Sequence, residues 1–193
     1  GVLANESFLD YAGGEWSWDG DIVDVAFLVL AKKLGLSLSE IRARQSRLEL
    51  IPYESARAFS GSLNLRGDQP HLYVKGSPEK ILSLCSHMDT RDGPVPIDRE
   101  AVEQEFQTLA SEGYRVIALA RRQADRASAE AQLGDMVFLG MAAMIDPVRP
   151  EAHEAVRRCR SSGVGVAMVT GDDPLTAAAI ARGQPAGAAA RAL

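Results

Sequence analysis

His71-Leu72-Tyr73-Val74-Lys75-Gly76-Ser77-Pro78-Glu79-Lys80-Ile81-Leu82 compresses a strand, an abrupt turn and a helix start into twelve residues. Leu72, Tyr73 and Val74 favour extended backbone. Gly76 breaks it without a Cβ, and Ser77-Pro78-Glu79 supplies an N-cap, a proline for the first helical position and an early carboxylate. Lys75 is therefore expected at a strand end, beside backbone that a flat ligand can approach closely. Read alone, the same residues also describe a solvated lysine before an ordinary turn.

Upstream, residues 48–53 and 60–65 read as strands, and Arg66-Gly67-Asp68-Gln69-Pro70 turns the chain back into the opening stretch. That meander predicts an antiparallel sheet. Before it, Val23, Ala26, Phe27, Leu30, Ala31 and Leu34 form one apolar helical stripe, with Asp21 as cap, Asp24 three residues on and Gly35 as terminator. A hairpin strand around Trp16 and a short helix at 39–44 complete this side. Downstream come a helix at 81–87, a loop marked by Pro94 and Pro96, a polar-faced helix at 99–112 and a buried strand at 115–121. Residues 122–134 show no clean period and read as a loop or short helix.

Residues 136–145 are almost unbroken apolar, as in a strand covered on both faces. A helix at 151–161 and a second apolar run at 164–169 follow, a β-α-β pattern that predicts a parallel sheet. Thr170-Gly171-Asp172-Asp173 would then lie at a strand's carboxyl end, where open α/β sheets bind ligands.

Composition narrows the function. The chain has 193 residues, 46% of them apolar, and a formal charge of −5. The acidic balance argues against nucleic acid as a partner, since a phosphate-backbone binder needs a clustered basic face. Cys85 and Cys159 have no CxxC spacing, so a zinc site or disulfide framework is not expected and a reducing compartment is the default. No run approaches the roughly 18 apolar residues of a membrane span. The segment reads as soluble.

Met168-Val169-Thr170-Gly171-Asp172-Asp173-Pro174-Leu175-Thr176, preceded by Asp146-Pro147-Val148-Arg149, resembles the cytoplasmic ATP-handling region of a P-type cation-transporting ATPase. In that family MxTGD belongs to a phosphorylation domain of the haloacid dehalogenase type, and DPxR is a hinge strand returning from the nucleotide domain. Lys75-Gly76-Ser77-Pro78-Glu79 is similar to the family's KGAPE, which carries the ATP-site lysine. Gly20-Asp21-Ile22-Val23-Asp24 is similar to GDPTE, with Asp24 in place of the Glu that contacts adenine. Pro52-Tyr53-Glu54-Ser55-Ala56-Arg57 resembles PFxSxRK, which makes Tyr53 the implied adenine stacker, and Arg115-Val116-Ile117-Ala118-Leu119-Ala120 resembles RVLALA, whose Arg reaches the phosphates. The likeness covers about residues 3–182.

The resemblance implies a nucleotide-binding domain over 1–137, with an antiparallel sheet and flanking helices in an α/β (α+β) fold. A partial phosphorylation domain of Rossmann-like parallel type is implied over 138–183, and an irregular tail over 184–193. It implies ATP with Mg2+ as cofactors. Asp24, Tyr53, Arg57, Lys75, Gly76, Arg115 and Asp146 would bind the nucleotide, and Thr170 and Asp172 would support phosphoryl transfer. The implied partners are ATP or ADP and the remaining phosphorylation, actuator and membrane domains of a transporter, with the segment itself on the cytoplasmic side. The sequence departs from the pattern at Ala58, where the family has Lys, and it contains no DKTGT, GDGxND or TGES. Without the aspartate that accepts the phosphoryl group, the segment alone is expected to be inactive in turnover. Two alternatives are a dehalogenase-type phosphohydrolase, which needs a DxD nucleophile motif, and a nucleotide-independent interaction module, which leaves Lys75 and Arg115 unexplained.

Overall fold

The computed structural model describes residues 1–145, 149–170 and 174–181. The chain divides into two compact units, Gly1–Arg99 with Ile117–Met141, and Glu100–Val116 with the described residues from Ala142 onward.

The first unit opens with a hairpin, β1 (Phe8–Ala12) and β2 (Glu15–Asp19), paired antiparallel. Gly13 and Gly14 close it with φ of +63° and +88°, the pair of positive angles that matches strand twist in a two-residue turn. Helix α1 (Ile22–Lys33) starts where the sequence signals it: the Asp21 carboxylate accepts from the amides of Val23 and Asp24. Its end is also signalled. Leu36 N–H donates to Ala31 O and Gly35 N–H to Lys32 O, a double closure that requires the left-handed backbone at Gly35, φ +74°. The buried face comprises Val25, Phe27, Leu28 and Ala31. It lies slightly round from the expected stripe because Val25 and Leu28 pack with Leu9 of the hairpin.

After α2 (Leu38–Arg44), the chain builds β3 (Gln45–Glu54), β4 (Phe59–Arg66), β5 (Gln69–Gly76), α3 (Pro78–Leu84), β6 (Cys85–Met88), β7 (Val95–Pro96), α4 (Arg99–Ser111), β8 (Arg115–Gln123) and β9 (Met136–Met144). The seven strands from β3 onward form one sheet in the order β3-β4-β5-β8-β9-β6-β7. The expected antiparallel meander is present from β3 through β8, while β6 pairs with β9 in parallel. The fold is mixed α/β with a large sheet flanked by helices, as the sequence predicts.

Strand register sorts the central side chains into two faces. One carries Phe59, Leu63, Leu72, Val74, Ala118 and Ala120, all buried. The other carries Ser60, Ser62 and Asn64 beside Lys75, Tyr73 and His71, and Ser60, Ser62, Asn64 and Lys75 are buried too. Buried polar groups need partners, and the second face supplies them internally. Ser62 Oγ donates to Asn64 Oδ1, Asn64 Nδ2 to Gln45 O, and the Tyr73 hydroxyl to Gln45 Oε1.

Three expectations are corrected. Residues 85–88 form a strand, ending α3 earlier than predicted. The 136–144 run is β9, a strand inside the seven-stranded sheet, and does not open a separate parallel sheet. Residues 164–170 form no strand and are exposed, Val169 to 97%. A parallel strand hides such a run only between neighbouring strands and covering helices, and among the described residues none pairs with it. In the second unit, α5 (Pro150–Ser161) and α6 (Pro174–Ala181) are helical, and Thr176 Oγ1 donates to Tyr114 O at 2.9 Å.

Candidate functional site

The polar sheet face ends at Lys75, whose surroundings were only partly legible. Its ammonium meets the Asp24 carboxylate at 2.5 Å, with the two side chains 5% and 15% exposed. It also donates to the Ala4 carbonyl and lies 5.6 Å from the centre of the Phe27 ring. Asp24 is held in turn by the backbone N–H of Glu6 at 2.9 Å, and the Asn5 side chain donates to the Asp24 carbonyl. Burial pushes the Lys75 pKa below its ordinary value, and the Asp24 carboxylate opposes that shift. Lys75 thus ties α1, the end of β5 and the 1–7 segment together, and residues 24 and 75 are brought into direct contact.

Gly76 has a structural reason of its own. A Cβ there would stand 2.3 Å from Ala58 O and 2.6 Å from Phe59 Cβ, because Phe59 pairs directly with Gly76. The close backbone approach expected of a ligand is made by the chain itself. Ala58, with φ +57°, aims its carbonyl so that it accepts from Ser77 N–H at 2.9 Å, joining the β3–β4 turn to the cap of α3.

The same turn carries Tyr53 and Arg57. Register places it beside the end of β5, since Glu54 pairs with Phe59 and Phe59 with Gly76. The Tyr53 side chain is 60% exposed, an open aromatic face on the turn beside the end of β5. Arg57 makes ion pairs with Glu54 at 2.8 Å and with Glu130 at 2.5 Å, donates to Pro52 O and lies 6.0 Å from the Phe59 ring centre. Among the described residues, the buried side-chain polar atom left without a hydrogen-bond partner is Arg57 Nε. Burying a guanidinium N–H unpaired is costly, so this corner is suited to an additional acceptor. Glu130 and Glu54 were not anticipated. The 73-residue separation of Arg57 and Glu130 leaves no mark in local sequence.

Arg115 and Thr170 stand on other elements of the chain. Arg115 opens β8 and belongs to the second unit. Thr170 is exposed on the irregular 164–170 stretch, not at a strand end. Asp146 and Asp172 lie outside the described residues. Two grooves elsewhere in the first unit, one beside Glu6, Arg42, Arg47 and Asn64 and one between the hairpin and the end of α1, are lined by neither Asp24, Tyr53 nor Lys75. No described helix is long and apolar enough to cross a membrane.

Comparison with known proteins agrees with this architecture. The sequence model of the family described as P-type ATPase, cytoplasmic domain N, matches residues 1–151. The chain is 39% identical over 187 residues to the cation-transporting ATPase pma1 of Synechocystis, covering 94% of this chain and 21% of that protein. It is 33% identical over 190 residues to a calcium-transporting ATPase of Bacillus subtilis, with 94% and 21% covered. Against the sodium/potassium-transporting ATPase subunit alpha-A of Artemia franciscana it is 33% identical over 180 residues, with 85% and 18% covered. The chain therefore spans about a fifth of the length of the curated relatives it matches. A matched domain, a sheet of the expected meander and relatives from three distant organisms agree that this chain belongs to the P-type ATPases, as their cytoplasmic domain N.

Proposed function

We propose that this chain holds ATP for a P-type cation-transporting ATPase, presenting the nucleotide for phosphoryl transfer to an aspartate that this segment does not contain. The observation that carries the reading is the placement at one sheet end, by strand register, of an open Tyr53 ring and a cationic Arg57 with an unsatisfied N–H on the β3–β4 turn, and of the buried Lys75–Asp24 pair at the end of β5. Stacking of an adenine ring on an exposed phenol ring suits Tyr53. Arg57 directs fixed positive charge toward anionic oxygens. Lys75, already committed to Asp24 and Ala4 O, acts from beneath as a buried charge and as the clamp that fixes the strand end. Gly76 contributes by letting the turn that carries Arg57 close against β5.

ATP supplies the phosphoryl group when bound, and Mg2+ would arrive with it. The residues of this chain bind, orient and partly neutralise, which is most of what phosphoryl transfer asks of a protein. Arg115, Asp146, Thr170 and Asp172 are assigned by the family pattern to the phosphate end and to the closed state of the parent transporter. The boundaries expected from the sequence, 1–137 for the nucleotide domain and 138–183 for part of the phosphorylation domain, belong to the same reading.

The decisive test uses Tyr53→Ala, because Tyr53 is exposed and its removal leaves the core intact. Calorimetric titration of the 193-residue chain with ATP should show binding that the substitution weakens about tenfold, the loss of one stacking contact of roughly 1.4 kcal/mol. Equal affinity in the two proteins would remove the site from this corner.

A further inference from the structure

The segment that follows β8 is tied back over the β3–β4 turn at two acidic points. From β3, Glu49 Oε2 accepts the backbone N–H of Ala129 at 2.9 Å, and Glu49 Oε1 accepts from Ser128 Oγ at 3.5 Å. One residue further on, Glu130 opens the short 3-10 turn Glu130–Gln132 and meets Arg57 Nη1 at 2.5 Å. Ala129 between them is fully buried. The remainder of the loop is held by its own bonds: Gln132 Nε2 donates to Ala127 O, and Arg122 Nη1 donates to the carbonyls of Gln132 and Gly134. Residues 124–134 thus form an ordered strap, and its carboxylate sits on the guanidinium that the proposed nucleotide site needs.

We infer that Glu130 is a specificity-determining residue of this site, a carboxylate gate that competes with nucleotide phosphate for Arg57 and so tunes affinity according to phosphate charge. The inference rests on the nucleotide reading of the Tyr53 corner and adds the strap to it. Three features carry it. Arg57 already has Glu54 at 2.8 Å, so Glu130 places a second carboxylate on one guanidinium. Arg57 Nε remains buried and unpaired, so the two carboxylates do not exhaust its donors. Glu130 is 56% exposed at its side chain and is free to swing into water when a stronger anion arrives. The energetic scale is that of a solvent-screened pair, which suits a tuning role.

The gate has a directional consequence. Glu130 repels an incoming phosphate and occupies its partner, so neutralising it strengthens binding most for the ligand that brings most charge to Arg57. Titrating the full chain with ATP, ADP and AMP, Glu130→Gln should tighten ATP by about two- to fivefold, the range of one exposed ion pair, ADP by less, and AMP hardly at all. The difference should shrink as ionic strength rises past about 0.3 M. Backbone hydrogen exchange at 128–132, measured without nucleotide, should quicken in the same variant while β4 and β5 stay protected. A substitution that weakens ATP, or shifts ATP and AMP alike, overturns the gate and leaves the site standing. A wild-type chain that binds none of the three overturns the site itself, and the gate with it.

Discussion

At the Lys75–Asp24 pair, an ammonium and a carboxylate 5% and 15% exposed are held 2.5 Å apart. Removing one partner of such a pair strands the other, at a cost of about 3–5 kcal/mol. Lys75→Met is therefore expected to destabilise the chain by roughly that amount, whereas Lys75→Met combined with Asp24→Leu should recover most of the loss. Urea unfolding of the three proteins measures both. The same burial makes Lys75→Ala an ambiguous probe of ligand binding, and Tyr53 the clean one. The pH dependence has a definite sign. Burial lowers the folded-state pKa of Lys75, so between that value and the unfolded one near about 10.4 the unfolded chain binds more protons. Stability contributed by this lysine rises with pH across that window. The gap between wild type and Lys75→Met should move in favour of wild type as pH rises toward the unfolded value; movement the other way would mean that attraction to Asp24 outweighs desolvation. Gly76→Ala has a different mechanism. Its Cβ would meet Ala58 O at 2.3 Å, backbone that cannot step aside cheaply. A loss of at least about 2 kcal/mol is expected, with the turn bearing Tyr53 and Arg57 displaced.

Elements whose signals are local were legible, and those that depend on distant neighbours were not. Helix α1 begins at Asp21 and closes through Gly35 because capping chemistry acts within a few residues. Its cap is quantifiable: Asp21→Ala should cost about 1 kcal/mol in thermal or chemical unfolding, and an unchanged midpoint would show the cap to be redundant. Strand β6 escaped detection because Ile81, Leu82 and Cys85 keep helical spacing beyond the true end of α3. The helix stops where the Arg99 guanidinium takes the carbonyls of Leu82 and Cys85, each at 2.6 Å, a contact that sequence spacing does not reveal. The 164–169 run erred the other way. Its apolar pattern is that of a buried strand, yet such burial needs a neighbouring strand, and among the described residues no strand pairs with the run. The site shows the same division. Asp24, Tyr53 and Lys75 stand in recognisable local motifs, whereas Ala4 contributes a backbone carbonyl and Glu130 arrives on a loop without periodicity.

Across the whole molecule, the position of β9 separates two ways of dividing the chain. The apolar composition of residues 136–145 suggests a border near 137, but the order β3-β4-β5-β8-β9-β6-β7 sets β9 between β8 and β6. Ending the chain at residue 137 would therefore remove nearly all of an interior strand and leave β6 and β7 without their link to the rest. Its buried side chains include Met136, Phe138 and Met141, and losing the last two at about 1.5–3 kcal/mol each uses up much of a typical 5–15 kcal/mol of stability. Among the described residues, ending it at residue 145 keeps every strand and removes α5, the 164–170 stretch and α6. That cut breaks the Thr176 to Tyr114 bond, worth about 1 kcal/mol net, so a fall of roughly 3 °C in midpoint is expected for a domain of this size. The 145-residue chain should keep a cooperative transition and the ATP response of the longer one, while the 137-residue chain should lose its cooperative transition. Equal cooperativity in both would show that β9 is dispensable to the sheet and that the border lies where the composition changes.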